Sequence, residues 1–496
     1  MSNLYYKSIK FIKKNYIKYL IILLIWYAVF LRFYNLWIQS FWIDEGFSSY
    51  STLDWSSLQY YIHNISQLIS FKIFWISDFS ARFPSVIFSI LNIWLIYLIS
   101  INLFKDKKTA LLSVLIFSFL TWEIIWSRQA RFYTLLQLLF SINIYFIIKI
   151  VKDFSFKYLY PGVLFLYIWI LFHPFLYSSI VIFILWLSYS LFILWKKWLI
   201  KQINYKKYLF FTIPFLIIFI IEIVKRNSVD WGISWIPSTF ELPDFIKEKR
   251  FWKYYSHLYS QLGVLLPISL LSMLFFVFRK KVLESIIFSF SVVFIFYIIA
   301  YEWKMYHTRY MLILFPLFII SSSYFIVYIY NLIKDDILNK IYIWIIALFV
   351  FSTTSFTLLP QTKYFIDYTS PQPNFKEAYQ IIPKNSEIIS GFPMLCEWYN
   401  NDSKCMYSLP IDYVWDVKEI KRILERWKDN YTDIKYLINI DQLEKNKEYY
   451  FVLDNLTISR MIDKKLLKQI ANNSKTMYNN WKSYNNIIVV KYIKNQ

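Results

Sequence analysis

Apolar runs of roughly 20 residues recur along the first three quarters of the chain, divided by short polar connections. That is the length a helix needs to cross about 30 Å of hydrocarbon. The pattern predicts about eleven membrane-crossing helices, near 17–37, 83–104, 109–126, 132–150, 158–172, 175–195, 208–224, 259–278, 282–301, 310–330 and 341–359. After Pro360 the character changes. Short apolar runs at 387–390, 436–440, 449–453 and 487–493 read as strands, and helical patterns lie near 375–382 and 417–429. The expected architecture is a polytopic α-helical membrane protein over 1–359 with a small extracytoplasmic α/β domain over 360–496.

Charge gives the expected orientation. The N-terminus carries Lys7, Lys10, Lys13, Lys14 and Lys18. Alternate connections downstream are basic: Lys105, Lys107 and Lys108; Lys149, Lys152 and Lys157; Lys196, Lys197 and Lys201; Arg279, Lys280 and Lys281; Lys334 and Lys340. Eleven crossings with a cytoplasmic N-terminus require this alternation, and the odd count puts the tail outside the cytoplasm. The first apolar segment is long enough to span and no small-residue cleavage site follows it, so it does not read as a removable signal peptide. The setting is therefore the cell membrane, multi-pass.

Composition narrows the class further. Of 496 residues, 58% are hydrophobic and 22% aromatic, which excludes a disordered chain, while 5 glycines exclude a collagen-like one. The net charge of +22 suggests nucleic acid at first sight. However, residues 1–359 hold 34 basic and 16 acidic residues, against 20 and 16 in 360–496. The surplus sits between apolar runs, where it sets topology, and no nucleic-acid partner is expected. Both cysteines, Cys396 and Cys405, fall in the tail. Outside the cytoplasm they could close a small-loop disulfide or stay as two thiols.

The outer connections hold most of the polar chemistry. Just beyond the first span comes Trp42-Ile43-Asp44-Glu45-Gly46. One carboxylate of the pair could deprotonate an attacking hydroxyl or amine while its neighbour orients it. The alternative is that Asp44 caps a helix starting at Gly46 with Glu45 in its first turn. Before the fourth span lies Ser127-Arg128-Gln129-Ala130-Arg131-Phe132-Tyr133. Arginines suit phosphate oxygens through their planar fork; snorkelling to headgroups is the competing explanation. Arg82, His173, Lys304, Arg309 and Trp235 complete the outer-side candidates, and all four histidines fall there. No ligand spacing supports a metal site, so a divalent metal is possible but unsupported and no cofactor is expected. P-loop, dinucleotide and serine-hydrolase motifs are absent.

In these residues the chain resembles the GT-C glycosyltransferases of the protein O-mannosyltransferase and lipid A aminoarabinose-transferase type. The resemblance rests on Trp42-Ile43-Asp44-Glu45, Arg82-Phe83-Pro84-Ser85, Ser127 to Tyr133, and Arg309-Tyr310 with Pro316, in that order. It implies a GT-C fold and inverting transfer of a sugar from a polyprenyl-phosphate donor to a lipid, glycan or protein acceptor. By the same resemblance Asp44 is the general base and Glu45 the second acid. Arg128 or Arg131, with Arg82, Lys304 and Arg309, would hold the donor phosphate. Trp42, Tyr133, His173 and Trp235 would contact sugar or acceptor. A flippase or transporter for a lipid-linked saccharide, or a polyprenyl-diphosphate oligosaccharide ligase or polymerase, are the rival readings. A transporter should show broken helices with mid-membrane charges, and scarce glycine counts against it.

Overall fold

The computed structural model describes residues 19, 21–38, 40–54, 61–153, 158, 161, 249–297, 308–353, 374–400, 404–409, 434–437, 439–460, 464–480 and 487–494. The expected spans at 158–172, 175–195 and 208–224, and the helical pattern at 417–429, lie outside them, apart from Tyr158 and Pro161. The chain forms two compact units. One comprises Met1–Leu31, Ile87–Trp126 and Tyr133–Phe356; the other comprises Arg32–Val86, Ser127–Phe132 and Thr357–Gln496.

The first unit is helical. It contains α1 (Ile21–Phe33, up to Leu31), most of α4 (Asp78–Phe104), α5 (Lys107–Phe119), α6 (Thr121–Ser127, up to Trp126) and α7 (Tyr133–Asp153). It continues with α8 (Lys249–Leu262), α9 (Leu265–Phe278), α10 (running from Val282 through a π-helical turn to Tyr297), α11 (Phe315–Leu332) and α12 (Asp336–Thr353). Asp78–Phe104, Met311–Leu332 and Asp336–Thr353 are long and apolar enough to cross a membrane. Helix α11 is largely buried, whereas α12 buries none of its side chains and turns Ile337, Trp344 and Leu348 outward. Small hydroxyls let α9 and α11 approach closely: Ser269 meets Ser321 at 2.6 Å, and the Ser322 hydroxyl donates to the Leu265 carbonyl at 2.8 Å.

Two expected spans are broken. The third divides at Leu120, whose ψ of 122° leaves the helical region between α5 and α6. The eighth, expected over 259–278, turns by 106° between Leu262 and Leu265. Gly263 stands at that turn with φ +53°, a conformation that only glycine adopts without strain. Scarce glycine therefore did not prevent a broken helix.

The second unit holds a six-stranded mixed sheet: β1 (Glu387–Ser390), β2 (Lys404–Ser408), β3 (Lys435–Tyr436), β4 (Glu448–Asp454), β5 (Ser474–Asn479) and β6 (Ile487–Ile493), in the order β3-β2-β1-β4-β6-β5. Strands β1–β4 pair in parallel, and β6 runs antiparallel between β4 and β5. The run expected as a strand at 436–440 is shorter, giving way to a 3₁₀ turn at Ile440–Gln442. Along β4, Tyr450 and Val452 enter one core and Tyr449, Phe451 and Leu453 the other, because successive side chains alternate. A strand covered on both faces must be apolar throughout, which is why 449–453 reads as one continuous run. The first core also contains Phe41, Phe71, Ala81 and Ala130 beside Phe375, Phe392 and Leu395. Residues far apart in sequence thus fold as one body, and the compact unit does not stop at the boundary expected at 360.

Candidate active site

Helix α2 (Ile43–Asp54) begins two residues earlier than a cap at Asp44 would require. Trp42 stands at its start and accepts the Gly46 N–H at 3.0 Å. Asp44 and Glu45 both occupy the first turn, where carboxylates complement the helix dipole. Glu45 reaches back to accept the Trp42 N–H at 3.3 Å, as an acid three residues after a cap does. So Glu45, not Asp44, serves the helix start.

The two acids face different surroundings. The Glu45 side chain is 1% exposed and that of Asp44 29%. Glu45 receives a two-pronged grip from Arg82, Nε to Oε1 at 2.8 Å and Nη2 to Oε2 at 2.9 Å. The Ala130 N–H adds a third contact at 2.6 Å. Arg82 is spent on this pair and on the carbonyls of Leu36 and Ser40, at 2.9 and 3.1 Å, with its guanidinium 4.9 Å from the Phe41 ring centre. Buried and engaged in this way, Arg82 ties the first turn of α2 to the backbone at Leu36 and Ser40. Glu45 is likewise buried and held by these donors.

The arginines before the fourth span divide similarly. Arg128 donates to the carbonyls of Arg32, Tyr34 and Asn35, at 3.3, 2.5 and 3.5 Å. Arg32 lies at the end of α1 (Ile21–Phe33), and Tyr34 and Asn35 in the turn that follows it. Arg131 instead turns to α2. Its Nη1 donates to the Asp44 carbonyl at 3.0 Å and to the Ser48 hydroxyl, and its Nη2 lies 3.7 Å from Asp44 Oδ2. The exposed acid and the second arginine therefore stand together.

His63, on α3 (Tyr61–Phe74), lies buried within reach of Arg131 and the Ala130 backbone. Burial first, and the Arg131 guanidinium second, lower its pKa to about 3, while the Ala130 backbone acts in the other direction. The ring is neutral at physiological pH. Its sequence signal was only its place among the outer-side histidines. Ser48, one turn after Asp44, had no signal beyond helical spacing.

Tyr133 opens α7 in the helical unit, buried with its ring 5.0 Å from that of Trp126. Trp42 is partly exposed. Arg309 lies on a 3₁₀ helix at Thr308–Leu314, and its side chain falls outside the description. His173, Trp235 and Lys304 lie outside the described residues. Among the described residues no three His, Cys, Asp or Glu side chains gather as a metal site would need.

Residues 62–231 match the sequence profile of the dolichyl-phosphate-mannose-protein mannosyltransferase family. The match starts after the Asp44–Glu45 pair. No curated protein matches the chain in sequence. Among solved structures, apo ArnT from Cupriavidus metallidurans is similar with a TM-score of 0.58 at 11% identity, over 96% of this chain and 98% of that one. The same protein bound to undecaprenyl phosphate gives 0.57 at 11%, over 95% and 97%. The apo oligosaccharyltransferase of Archaeoglobus fulgidus gives 0.51 at 9%, over 89% and 70%. At these identities the likeness speaks to the fold alone, while the profile speaks to the activity class. Taken together they show that the chain is a multi-pass membrane glycosyltransferase of the GT-C type.

Proposed function

We propose that the protein transfers a sugar from a polyprenyl-phosphate donor to an acceptor on the extracytoplasmic side of the membrane, with inversion and with Asp44 as general base. The observation that carries this reading is the division of the acid pair. Asp44 is the acid left partly open to solvent, and its Oδ2 stands 3.7 Å from a guanidinium that Ser48 and the Asp44 carbonyl aim. The donor class is supported by the undecaprenyl phosphate bound to the similar ArnT.

In the proposed step an acceptor hydroxyl or amine attacks the anomeric carbon from the face opposite the phosphate. Its proton passes to the Asp44 carboxylate. The bond from that carbon to the phosphate oxygen breaks, and the electron pair leaves with the polyprenyl phosphate. Arg131 offers a planar cation to the charge that builds on the departing oxygens. Asp44 and Arg131 are thus the residues assigned to the reaction, and Lys304 and Arg309 are expected to add to the phosphate cluster. The Cys396–Cys405 disulfide supports an oxidising, extracytoplasmic setting for the tail.

The test is transfer from radiolabelled polyprenyl-phosphate hexoses by purified protein. Asp44→Asn is expected to abolish transfer while the protein stays folded and membrane-inserted. Activity near wild type in that variant removes Asp44 from the mechanism.

A further inference from the structure

The segment that leads into Asp44 is held by residues more than 300 positions downstream. Helix α14 (Pro393–Tyr399) and the short helix α13 (Phe375–Gln380) supply them. The Tyr399 hydroxyl oxygen accepts the Phe41 N–H at 2.6 Å. Trp398 Nε1 donates to Asp78 Oδ1 at 2.9 Å, and Lys376 Nζ donates to Asp78 Oδ2 and to the Trp37 carbonyl, both at 3.0 Å. The Phe41 ring is enclosed, 5.0 Å from Trp398, 6.1 Å from Tyr399 and 4.9 Å from the Arg82 guanidinium.

These contacts bear on one point of the backbone. Phe41 is followed by Trp42, the residue before α2, and Asp44 comes two residues later. The Phe41 N–H is buried and lies before the helix, so no carbonyl of α2 can accept it. Tyr399 supplies that acceptor from another element. Burial first, then Asp78, hold the Tyr399 phenol well above its usual range, so it stays protonated. The disulfide from Cys396 on α14 to Cys405 on β2 ties the Tyr399 helix to the sheet. Leu395 of the same helix leaves no room for a Cβ at Gly46.

We propose that Tyr399 is a positioning residue for sugar transfer: its hydroxyl holds the Phe41 amide, which sets where α2 begins and so where Asp44 meets the acceptor. The C-terminal sheet region then belongs to the catalytic apparatus and is not an appended module. The proposal rests on the reading of Asp44 as the base.

The experiment uses the full chain, reconstituted with the radiolabelled polyprenyl-phosphate hexose that supports transfer. It compares wild type, Asp44→Asn and Tyr399→Phe for kcat, donor KM and thermal unfolding. Misplacing a reacting group by about 1 Å can cost about 100-fold in rate. Tyr399→Phe is therefore expected to lower kcat by about 10- to 100-fold per folded molecule, with donor KM within about twofold of wild type. A purely structural role would lower the folded fraction and leave kcat per folded molecule unchanged, and that result overturns the proposal. If Tyr399→Phe does not fold, 3,5-difluorotyrosine placed at 399 by amber suppression keeps ring and hydroxyl, weakens the oxygen as acceptor and strengthens the O–H as donor. Its kcat is then expected to fall with unfolding unchanged, and an unchanged kcat overturns the proposal. The two readings fail separately. Transfer retained by Asp44→Asn sinks the assignment of the base, and with it the role of Tyr399. An inactive Asp44→Asn beside a fully active Tyr399→Phe sinks only the latter.

Discussion

Asp44 and Glu45 are neighbours in sequence, yet one is 29% exposed and the other 1%. A helix turns each successive side chain by about 100°, so adjacent residues cannot share an environment. Residue order located the pair and the two arginines downstream, but it could not divide their roles. Division depends on which side chain meets Arg82, and that is a tertiary fact. The same holds for Arg128 and Arg131: three apart and chemically identical, one binds the turn after α1 and the other faces Asp44. The buried Glu45–Arg82 pair yields a sharp test. Removing one partner leaves an uncompensated buried charge, at about 3–5 kcal/mol, whereas replacing both with apolar residues is often neutral. Arg82→Met is therefore expected to destabilise the fold by about that amount in denaturant unfolding. Glu45→Leu combined with Arg82→Met should recover part of the loss, and a double variant as unstable as the sum of the two single ones would refute the pairing.

Whole elements were far more legible. Helices α4, α7, α11 and α12 follow the apolar runs, because hydropathy summed over about 20 residues averages out local detail. That averaging also concealed the breaks at Leu120 and Gly263, which depend on single residues. In the tail, β1, β4 and β6 were readable since their strands are apolar enough to be covered. Strands β2 and β5 were not: Lys404–Ser408 is a short run bounded by Lys404 and Ser408, and Ser474–Asn479 is largely polar and forms an edge with most of its side chains exposed. Packing between elements shows at Gly46. Alanine within a helix is normally about 0.5–1 kcal/mol better than glycine. Here its Cβ would collide with Leu395 of α14, and overpacking costs about 1–3 kcal/mol. Gly46→Ala is expected to lower the unfolding temperature; a rise would mean that α2 and α14 have slack between them.

For the whole molecule, topology came from charge. The proposal reads the lysines between apolar runs as placing the N-terminus in the cytoplasm and the tail outside. It can be checked with single cysteines in a chain lacking Cys396 and Cys405. A cysteine at Lys475 on β5 should react with an impermeant maleimide in intact cells, and one at Lys334 only after permeabilisation; the reverse pattern inverts the orientation. The argument from scarce glycine against a transporter has lost its force, since α8 and α9 meet at a 106° turn made by one glycine. What favours the enzyme is now the mannosyltransferase profile over 62–231 and the fold.

The hydrogen bond from Phe41 to Tyr399 spans 358 positions. A ribosome adding about 5–20 residues each second needs roughly 20–70 s to travel that far. For all that time the segment before Asp44 exists without its partner. The segment before Asp44 must therefore wait until Tyr399 has been made before it is complete. A nascent chain halted before Tyr399 would carry every acid and arginine discussed above and still lack the clasp that sets them.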